Sequence, residues 1–488
     1  MVDVPYPLSR LRRLLDGVRA PKGPLYRQLA NGLAELIDSG ELTPGELLPP
    51  ERALAQGLTI SRTTVVSAYR SLADSGRVDR RQGSGTRVCR DLVRDADAGQ
   101  MLLYETSKPV FLQRQVDTID LVSASLPALD IVADMMSALT KDDCLRLTRA
   151  KHDRYHIWGL ALLRERIARW YSNHGSPTAP EEVLVTSGAQ HALELITRAC
   201  LQPGDSVITE DPTYRGALDL FERAGARVHQ IHVDEHGVDV EALAQRVEQY
   251  APRLIYLQPG LHNPTGVTLS HNRRKRLIRL LMDSSSIIID DTVLSLTAFE
   301  ESTNSPTLFS HERLMTVGSM NKLFWGGLRL GWIRASAPAV SRLALFREST
   351  DTGTSLIAQE IGARLFDHVE EASAERRHQL PLGLDALISL LNAHLPNWTW
   401  GRPAGGTGLW VRMPHGNATE FSHVALQYGV AVLPGANFSR SGIADACIRL
   451  PFGVPIRDLE HGIARLRMAW DSYVEHGASD TSVMSSMT

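Results

Sequence analysis

Between residues 181 and 320 the chain alternates short β-branched runs with amphipathic stretches, and this alternation restricts the possible folds more than any other feature. The runs are EEVLVTSG, DSVITED, ARVHQIHV, RLIYLQP, SIIIDD and LMTVGSM. Stretches of helical period lie between several of them, namely QHALELITRACL, YRGALDLFERAG and NRRKRLIRLLMD. Strands that alternate with helices in this way predict an α/β domain built around a mostly parallel sheet.

Polar residues stand where five of these runs end. Ligands of open α/β sheets bind outside the carboxyl ends of the strands, so these positions predict a site. The first of them, Ser187 to Gln190, opens a helix whose free N–H groups and dipole can bind an anion. The complete set is Ser187, Gly188, Ala189, Gln190, Tyr214, Asn263, Asp290, Ser319, Lys322 and Arg329. Each residue alone is more often a cap, a turn former or a solvated charge, but their succession indicates a site.

Pyridoxal phosphate requires such a set, because it needs an amine for a Schiff base, a carboxylate for its ring nitrogen, a stacking aromatic and a phosphate cradle. Lys322 lies in the apolar, glycine-rich segment GSMNKLFWGGLRLG, where desolvation lowers the pKa of the amine and makes it nucleophilic. Asp290 suits the ring nitrogen. Ser319, Arg329 and the backbone of residues 187–190 suit the phosphate. The sequence therefore predicts a pyridoxal phosphate site with Lys322 as its catalytic residue.

The first ninety residues form a basic segment with another pattern. They carry 14 lysines and arginines against 9 acids, a net charge of +5, whereas the remainder carries 38 against 46, a net charge of −8. Helical period begins at Leu25, a short helix follows Pro50, and Ser61 caps a third helix. RVDRRQGSGTRVCR then indicates a hairpin with a glycine turn. This order is that of a winged helix-turn-helix, which predicts binding to double-stranded DNA.

Candidate DNA contacts lie on the third helix and around the hairpin. Side chains near the start of a recognition helix point into the major groove, and neighbouring arginines neutralise phosphates. The candidates are Arg62, Thr63, Thr64 and Ser67 on the helix and Arg77, Arg80, Arg81 and Arg87 at the hairpin. The alternative is a small helical interaction module with a solvated basic hairpin.

Residues 1–90 resemble the GntR-type winged helix through PLYRQLANGLAELIDSGEL, PGELLPPERALAQGLTISRTTVVSAYRSLADSGRV and GSGTRV. Residues 118–475 resemble a fold-type I aminotransferase, with its motifs in the same order. The whole chain is therefore similar to MocR/GabR-type regulators, which fuse these two modules. The resemblance implies a multidomain α+β and α/β fold: a winged helix-turn-helix, an aminotransferase-like α/β domain and a smaller C-terminal α+β subdomain. Residues 91–117 are expected to be a linker and residues 476–488 a disordered tail.

The resemblance also implies roles for individual residues. By this resemblance Lys322 forms the Schiff base and Asp290 binds the ring nitrogen. Asn263 lies near the phenolic oxygen of the cofactor, and Tyr214 stacks on its ring. RYHIWG resembles the segment whose tyrosine, here Tyr155, reaches the phosphate bound by the neighbouring subunit, which implies a homodimer. CIRLPFG resembles the segment whose arginine, here Arg449, binds a substrate carboxylate in bidentate fashion. A plain surface charge is the alternative for Arg449.

Several residues depart from the pattern of the family. Thr292 stands where a tyrosine often binds the phenolic oxygen, Asn321 replaces a serine, and Gly326-Gly327 replaces Pro-Gly. RYHIWG also lacks the Asp-Pro of the family. These changes favour retained cofactor binding with reduced selection for fast transamination.

The predicted function is transcriptional regulation. Pyridoxal phosphate forms an aldimine with Lys322, and an amino compound or the level of the cofactor changes how the body holds the DNA-binding heads. The alternatives are an active aminotransferase with a tethered head and a binding module without cofactor. The sequence shows no export signal, no apolar run of membrane-spanning length and no metal-ligand spacing among its four cysteines. We therefore expect a cytoplasmic, nucleoid-associated protein without a membrane or metal partner.

Overall fold

The computed structural model describes residues 11, 25–38, 42, 46–58, 60–74, 78–81, 85–88, 117–149, 155–300 and 306–482. The chain divides into two compact units, Met1–Pro109 and Val110–Thr488. The expected linker at 91–117 lies outside the described residues except for its last position.

The described residues of the first unit include three helices and a hairpin that can be given bounds. They are α1 (Leu25–Asp38), α2 (Glu51–Leu58), α3 (Arg62–Asp74), β1 (Val78–Arg81) and β2 (Gly85–Val88). The Ser61 hydroxyl accepts a hydrogen bond from the N–H of Thr64 at 3.0 Å, so α3 has the predicted cap. Strands β1 and β2 pair antiparallel, with Val78 opposite Val88. Buried Leu33, Leu54 and Tyr69 form the centre of its core. The predicted order of elements is present, and the tip of the hairpin lies outside the described residues.

An eight-stranded sheet forms the centre of the second unit. Its strands are β4 (Val183–Thr186), β5 (Ser206–Asp211), β6 (Arg227–Asp234), β7 (Gly237–Val238), β8 (Leu254–Leu257), β9 (Ile287–Asp291), β10 (Leu314–Ser319) and β11 (Gly331–Arg334). Their spatial order is β4-β11-β10-β9-β8-β5-β6-β7. Strands β6, β5, β8, β9 and β10 pair in parallel, whereas β11 is antiparallel to both of its neighbours. The mostly parallel α/β sheet is confirmed.

Both faces of this sheet are covered by helices, and for this reason its central strands are mostly apolar. Alternate residues enter two different cores: Tyr256 and Ile289 pack on one face, and Ile255 and Ile288 pack on the other. The helices of the large domain are α4 (Asp130–Ser137), α5 (Lys141–Thr148), α6 (Ala161–Asn173), α7 (Ala189–Cys200), α8 (Arg215–Arg223), α9 (Val240–Tyr250), α10 (His271–Asp283), α11 (Ala337–Glu348) and α12 (Leu356–Leu365). The carboxyl ends of the parallel strands are left uncovered by this arrangement, so polar side chains can collect there.

A smaller α+β subdomain follows, as expected from the resemblance. Its elements are β3 (Ile119–Leu121), α13 (Val369–His394), β12 (Thr399–Trp400), β13 (Gly408–Arg412), α14 (Ala418–Gln427), β14 (Val430–Pro434), β15 (Cys447–Pro451) and α15 (Ile456–Ser482). The strand order is β12-β13-β15-β14-β3, and β3 is parallel to β14. Trp398 and Trp470 meet edge to face with ring centroids 5.4 Å apart in its core.

The end of α15 corrects one expectation. Residues 476–482, assigned to a disordered tail, continue the helix, and residues 483–488 of that tail lie outside the described residues. The preceding turns are fixed by buried Leu466 and Trp470, and a helix already nucleated gains one backbone hydrogen bond for each residue added. The small polar composition of this segment therefore does not prevent it from extending the helix.

Candidate functional site

Lys322 lies in the turn after β10, at the carboxyl edge of the sheet. It is half-buried, and its ammonium group donates a hydrogen bond to the carbonyl of Ala124 at 2.9 Å. Burial first, and then the positive charge of Arg449, lower the pKa of Lys322 to about 8. About a tenth of this amine is therefore neutral at pH 7, against less than about a thousandth for an ordinary lysine.

The turn that carries Lys322 is held by Arg376, an arginine that the sequence analysis did not identify. Arg376 on α13 is buried and donates to the carbonyls of Leu323 at 2.8 Å, Phe324 at 3.2 Å and Pro127 at 2.6 Å. It thereby ties the lysine turn to the segment that contains Ala124. Arg376 is 54 residues from the lysine in sequence, and no local pattern indicates the contact.

The start of α7 and the lysine turn form one small cradle. Gly188 has a φ of 94°, which a side chain would disfavour. A Cβ atom there would lie 3.1 Å from Asn321 Nδ2 and 3.6 Å from Arg329 Nη2. Arg329 also donates to the carbonyl of Ser187 at 3.3 Å. Backbone N–H groups, an amide and a guanidinium thus converge where sequence reasoning placed the phosphate, and the departure at Asn321 faces this cradle.

Two predicted phosphate ligands have other partners in this structure. The Ser319 hydroxyl donates to the carbonyl of Leu330 at 3.1 Å and accepts from the N–H of Asn321 at 3.1 Å, so it shapes the lysine turn. Gln190 accepts from the hydroxyl of Tyr214 at 2.8 Å and donates to the carbonyl of Gly216 at 3.1 Å. Gln190 therefore orients the aromatic ring at the site.

Tyr214 lies among the charged groups of the site. Burial raises its pKa to about 12, and the charges of Asp291, Arg449 and Arg329 act on it next. Its phenol therefore stays protonated at physiological pH and donates to Gln190. The predicted stacking aromatic thus shares one environment with two of the predicted arginines.

The two consecutive aspartates point in opposite directions and have different partners. Asp290 accepts hydrogen bonds from the N–H of Leu308 at 2.6 Å and the hydroxyl of Thr307 at 3.2 Å. Burial raises its pKa to about 6.

Asp291 lies instead on the face that carries Tyr214. It accepts from the hydroxyl of Tyr256 at 2.6 Å and from the N–H of Val293 at 3.0 Å, and burial raises its pKa. Successive side chains of a strand point to opposite faces, which separates the two carboxyl groups. The structure brings Asp291, and not the predicted Asp290, to the face of Tyr214. Thr292 donates to the carbonyl of Val317 at 3.0 Å.

Asn263 lies on a loop supported by an uncharged buried pair. Its backbone N–H and carbonyl both bond to the side chain of Gln258, at 3.3 Å each. Beneath it, His262 Nε2 lies 3.7 Å from Glu210 Oε2. Burial raises the pKa of Glu210 to about 8 and lowers the pKa of His262 to about 3. Both groups are therefore neutral near pH 7, and their contact is not an ion pair.

Arg449 on β15 is buried and approaches the site from the small subdomain. One of its amino groups donates to the carbonyl of Val122 at 2.7 Å, and the guanidinium carbon lies 5.1 Å from the ring centroid of Phe438. Its buried Nε has no hydrogen-bond partner among the described residues. Burial lowers the pKa of Arg449 to about 10. The alternative of a plain surface charge does not hold, and a carboxylate would satisfy the orphaned N–H.

Tyr155 lies on the surface, with 66% of it exposed. In the first unit, Thr63 and Ser67 are exposed and Thr64 is half-buried, with its hydroxyl 2.7 Å from that of Ser61. Arg62 is 69% exposed and lies 3.4 Å from Glu51. The remaining candidates are at the hairpin, where Arg87 is half-buried, Arg77 lies outside the described residues, and the side chains of Arg80 and Arg81 are not described.

Metal-binding clusters and membrane-spanning helices are both absent from the described part of the chain. No cluster of three or more histidine, cysteine, aspartate or glutamate side chains there is placed to hold a metal ion. In the same residues, none of the helices has the length and apolar character needed to cross a membrane.

Comparison with known proteins relates both parts of the chain to families. Residues 124–466 match the family model described as aminotransferase class I and II, and residues 25–88 match that of bacterial regulatory proteins of the gntR family. The HTH-type transcriptional regulator YdfD of Bacillus subtilis is 27% identical over 91% of this chain and 96% of its own length. The 2-aminoadipate transaminase of Thermus thermophilus is 30% identical over 64% of this chain and 79% of its own length.

A solved structure agrees with the second unit. LysN, the alpha-aminoadipate aminotransferase of Thermus thermophilus in complex with N-(5'-phosphopyridoxyl)-L-leucine, matches with a TM-score of 0.65 and 26% identity. The match covers 74% of this chain and 94% of that structure.

The lowered pKa of Lys322 predicts an amine that reacts at unusually low pH. Because a protonated amine is not nucleophilic, reductive methylation of Lys322 by formaldehyde in the cofactor-free protein should rise with pH through a midpoint near 8. Peptide mass spectrometry resolves each lysine, and Lys275, exposed on α10, is the internal control. Superimposable pH profiles for the two lysines would contradict this environment.

The opposite orientation of the two aspartates predicts different effects of the same substitution. Asp291→Asn should weaken binding of pyridoxal phosphate by about tenfold or more, because an amide cannot hold the ring nitrogen protonated. Asp290→Asn, the matched control on the other face, should leave the affinity within about twofold. Titration followed by visible absorbance measures both, and the reverse pattern would return the role to Asp290.

Proposed function

The chain belongs to the class I and II aminotransferase family through residues 124–466, with a gntR-type domain at residues 25–88, and on this premise we propose that it regulates transcription by sensing an amino compound. It is a transcriptional regulator with an aminotransferase-like domain, as the similarity to YdfD over 91% of the chain supports. We further propose that the chain has a MocR-type organisation, that it senses a small amino compound and that it forms a homodimer.

The first unit supports binding to double-stranded DNA. Helix α3 begins at Arg62 and presents exposed Arg62, Thr63 and Ser67 within its first two turns. These side chains can reach base edges in the major groove, and the arginines of the hairpin would neutralise phosphates. The proposed partner is therefore promoter DNA, contacted through α3.

The residues of the second unit fit pyridoxal phosphate, the cofactor of this chain. The cradle of Gly188, Asn321 and Arg329 would hold the phosphate, Tyr214 the ring face and Asp291 the ring nitrogen. When bound, the cofactor supplies an aldehyde that bonds reversibly with amines and an electron sink for the carbon next to them. Lys322, with a pKa near 8, provides a neutral amine for this bond at physiological pH.

One observation carries the sensing proposal: the buried Nε of Arg449 has no hydrogen-bond partner among the described residues, and the charge of Arg449 acts on Lys322. The carboxylate of an amino acid would satisfy this group, while its amine would reach the cofactor held by the lysine. Binding there would neutralise Arg449 and remove one of the two causes that depress the pKa of Lys322. The ligand class that fits is an α-amino acid or a related amino compound with an acid group.

Regulation requires two arrangements of the protein with different affinities for the ligand. A homodimer would provide two DNA-binding heads and, through Tyr155 of each chain, a contact to the cofactor phosphate of the other. The 66% exposure of Tyr155 in the single chain supports this role. A change in how the bodies associate would then alter the spacing of the heads on paired half-sites.

Transamination is the second candidate function. It is favoured by the neutral amine of Lys322 and the orphaned N–H of Arg449, which an enzyme would also need. The departures at Asn321, Gly326 and Gly327, together with the gntR-type domain, place regulation first. Repeated turnover of an amino donor with a keto acid would reverse this order.

The DNA-binding proposal predicts that Arg62→Ala weakens binding to the promoter region of its own gene by about tenfold, because one charged contact is lost. If the contact is to a phosphate, the slope of log affinity against log salt should fall by about one. Fluorescence anisotropy at several salt concentrations measures both quantities. The control is Arg342→Ala on exposed α11, and equal binding by the two variants would contradict the role of α3.

The sensing proposal predicts that DNA affinity of the cofactor-loaded protein changes when one of the standard amino acids is added. Lys322→Ala and Arg449→Leu should each abolish this change, because each removes one of the two groups that recognise the ligand. The panel of amino acids is tested by the same anisotropy assay. A response that survives both substitutions would contradict sensing through this site.

A further inference from the structure

A strained turn after α11 contacts both segments that are expected to bind the cofactor phosphate. The turn spans residues 351–354, where Thr352 has a φ of 57° and Gly353 a φ of 138°. A non-glycine residue with positive φ is uncommon and persists only where its surroundings hold it. The groups that hold this turn are therefore informative about its role.

Arg347, fully buried in the last turn of α11, holds the strained turn. Its guanidinium donates to both carboxylate oxygens of Asp351, at 2.6 and 3.1 Å, and to the hydroxyl of Thr354 at 2.7 Å. It also donates to the carbonyl of Ile157 at 3.0 Å and to that of Val185. A basic residue near a helix C-terminus usually bonds to the last carbonyls of its own helix. Here the donors go to three other segments instead.

This turn is connected to Ser187, at the start of the phosphate cradle, by one direct contact and by one through His191. The hydroxyl of Thr354 lies 3.3 Å from that of Ser187. Nδ1 of His191 accepts from the N–H of Ser187 at 3.0 Å, and its Nε2 lies 3.2 Å from Asp351. Burial lowers the pKa of His191, which favours the neutral ring that this acceptor role needs. The side chain and the backbone of Ser187 are thus both oriented by the same turn.

The segment that carries Tyr155 is held by the same turn. A Cβ atom on Gly353 would lie 2.4 Å from the carbonyl of Tyr155, so only glycine allows this approach. Gln359 donates to the carbonyl of Thr354 at 2.8 Å and accepts from the N–H of Leu160 at 2.6 Å. Arg347 binds the carbonyl of Ile157 between these two points.

We propose that Arg347 is a positioning residue that sets the affinity of the chain for the phosphate group of its cofactor, through the turn at 351–354. The inference rests on the proposed binding of pyridoxal phosphate and adds a group that does not itself touch the cofactor. Its action is indirect: it fixes Thr354 against Ser187 and the backbone of Ile157 beside Tyr155. A buried cation with five directed hydrogen bonds cannot be replaced by lysine, whose three donors lack the planar fork.

The test compares two ligands that differ only in the phosphate, pyridoxal phosphate and pyridoxal. Arg347→Lys should weaken binding of pyridoxal phosphate by about tenfold or more and leave the affinity for pyridoxal within about twofold. Titration by visible absorbance gives both dissociation constants. Arg342→Lys, an exposed arginine on the same helix, is the matched control and should change neither.

A second pair of variants keeps the test decisive if Arg347→Lys does not fold. Thr354→Val removes the hydroxyl that joins Arg347 to Ser187 at nearly constant volume and should also weaken pyridoxal phosphate selectively. Thr354→Ser keeps the hydroxyl and should restore the affinity. Circular dichroism and thermal unfolding confirm that the variants are folded.

The outcomes separate this inference from the proposed function. Selective loss for the phosphorylated ligand, with rescue by serine, is the expected result. Equal loss for both ligands would make Arg347 a general structural residue, and no loss would remove its role; either result overturns the inference and leaves the proposed function standing. If the unsubstituted chain binds no pyridoxal phosphate, the proposed function fails first and the inference fails with it.

Discussion

The parallel pairing of β5, β8, β9 and β10 is the constraint on which the second unit depends. Parallel strands need both faces covered, so helices take the faces and only the carboxyl edge remains for polar groups. Four different strands supply the groups of the site at their carboxyl ends: the lysine, the carboxylate, the aromatic ring and the anion cradle. These groups meet because the four strands run in the same direction. The chemistry of the site is thus a consequence of the handedness and direction of the chain connections.

Burial shifts the pKa values of the ionisable groups at the site. It lowers the pKa of Lys322 to about 8 and raises that of Tyr214 to about 12, so the lysine can be a nucleophile while the tyrosine remains a donor. The same burial makes Arg449 costly to leave unpaired, which favours a ligand with an acid group. Lys322 and Arg449 are two cationic groups that act on each other, and such a pair suits a small anion whether the output is turnover or a signal.

Sequence patterns could predict residues that share one turn or one helix. They could not predict to which face of a buried strand a side chain points, or which distant carbonyl it binds. The run that ends at Asp290-Asp291 is apolar throughout, because both faces of its strand are buried, so it contains no alternation to show which aspartate faces the site. Arg376 and Arg347 act on carbonyls more than fifty residues away in sequence, and carbonyl acceptors leave no trace in residue type. Lys322 and Arg329 were predictable because a single turn holds both. The helical extension to Ser482 was missed since small polar residues are also common in helices fixed by an upstream anchor.

The hydrogen bond from Lys322 to the carbonyl of Ala124 has a further consequence. Ala124 lies three residues after β3, the first strand of the second unit in chain order. Whatever engages the amine must displace this bond, at a cost of about 1 kcal/mol. By reciprocity, a change that loosens Ala124 would favour engagement of the amine by the same free energy. The bond therefore links the occupancy of the amine to the position of Ala124 in the segment after β3.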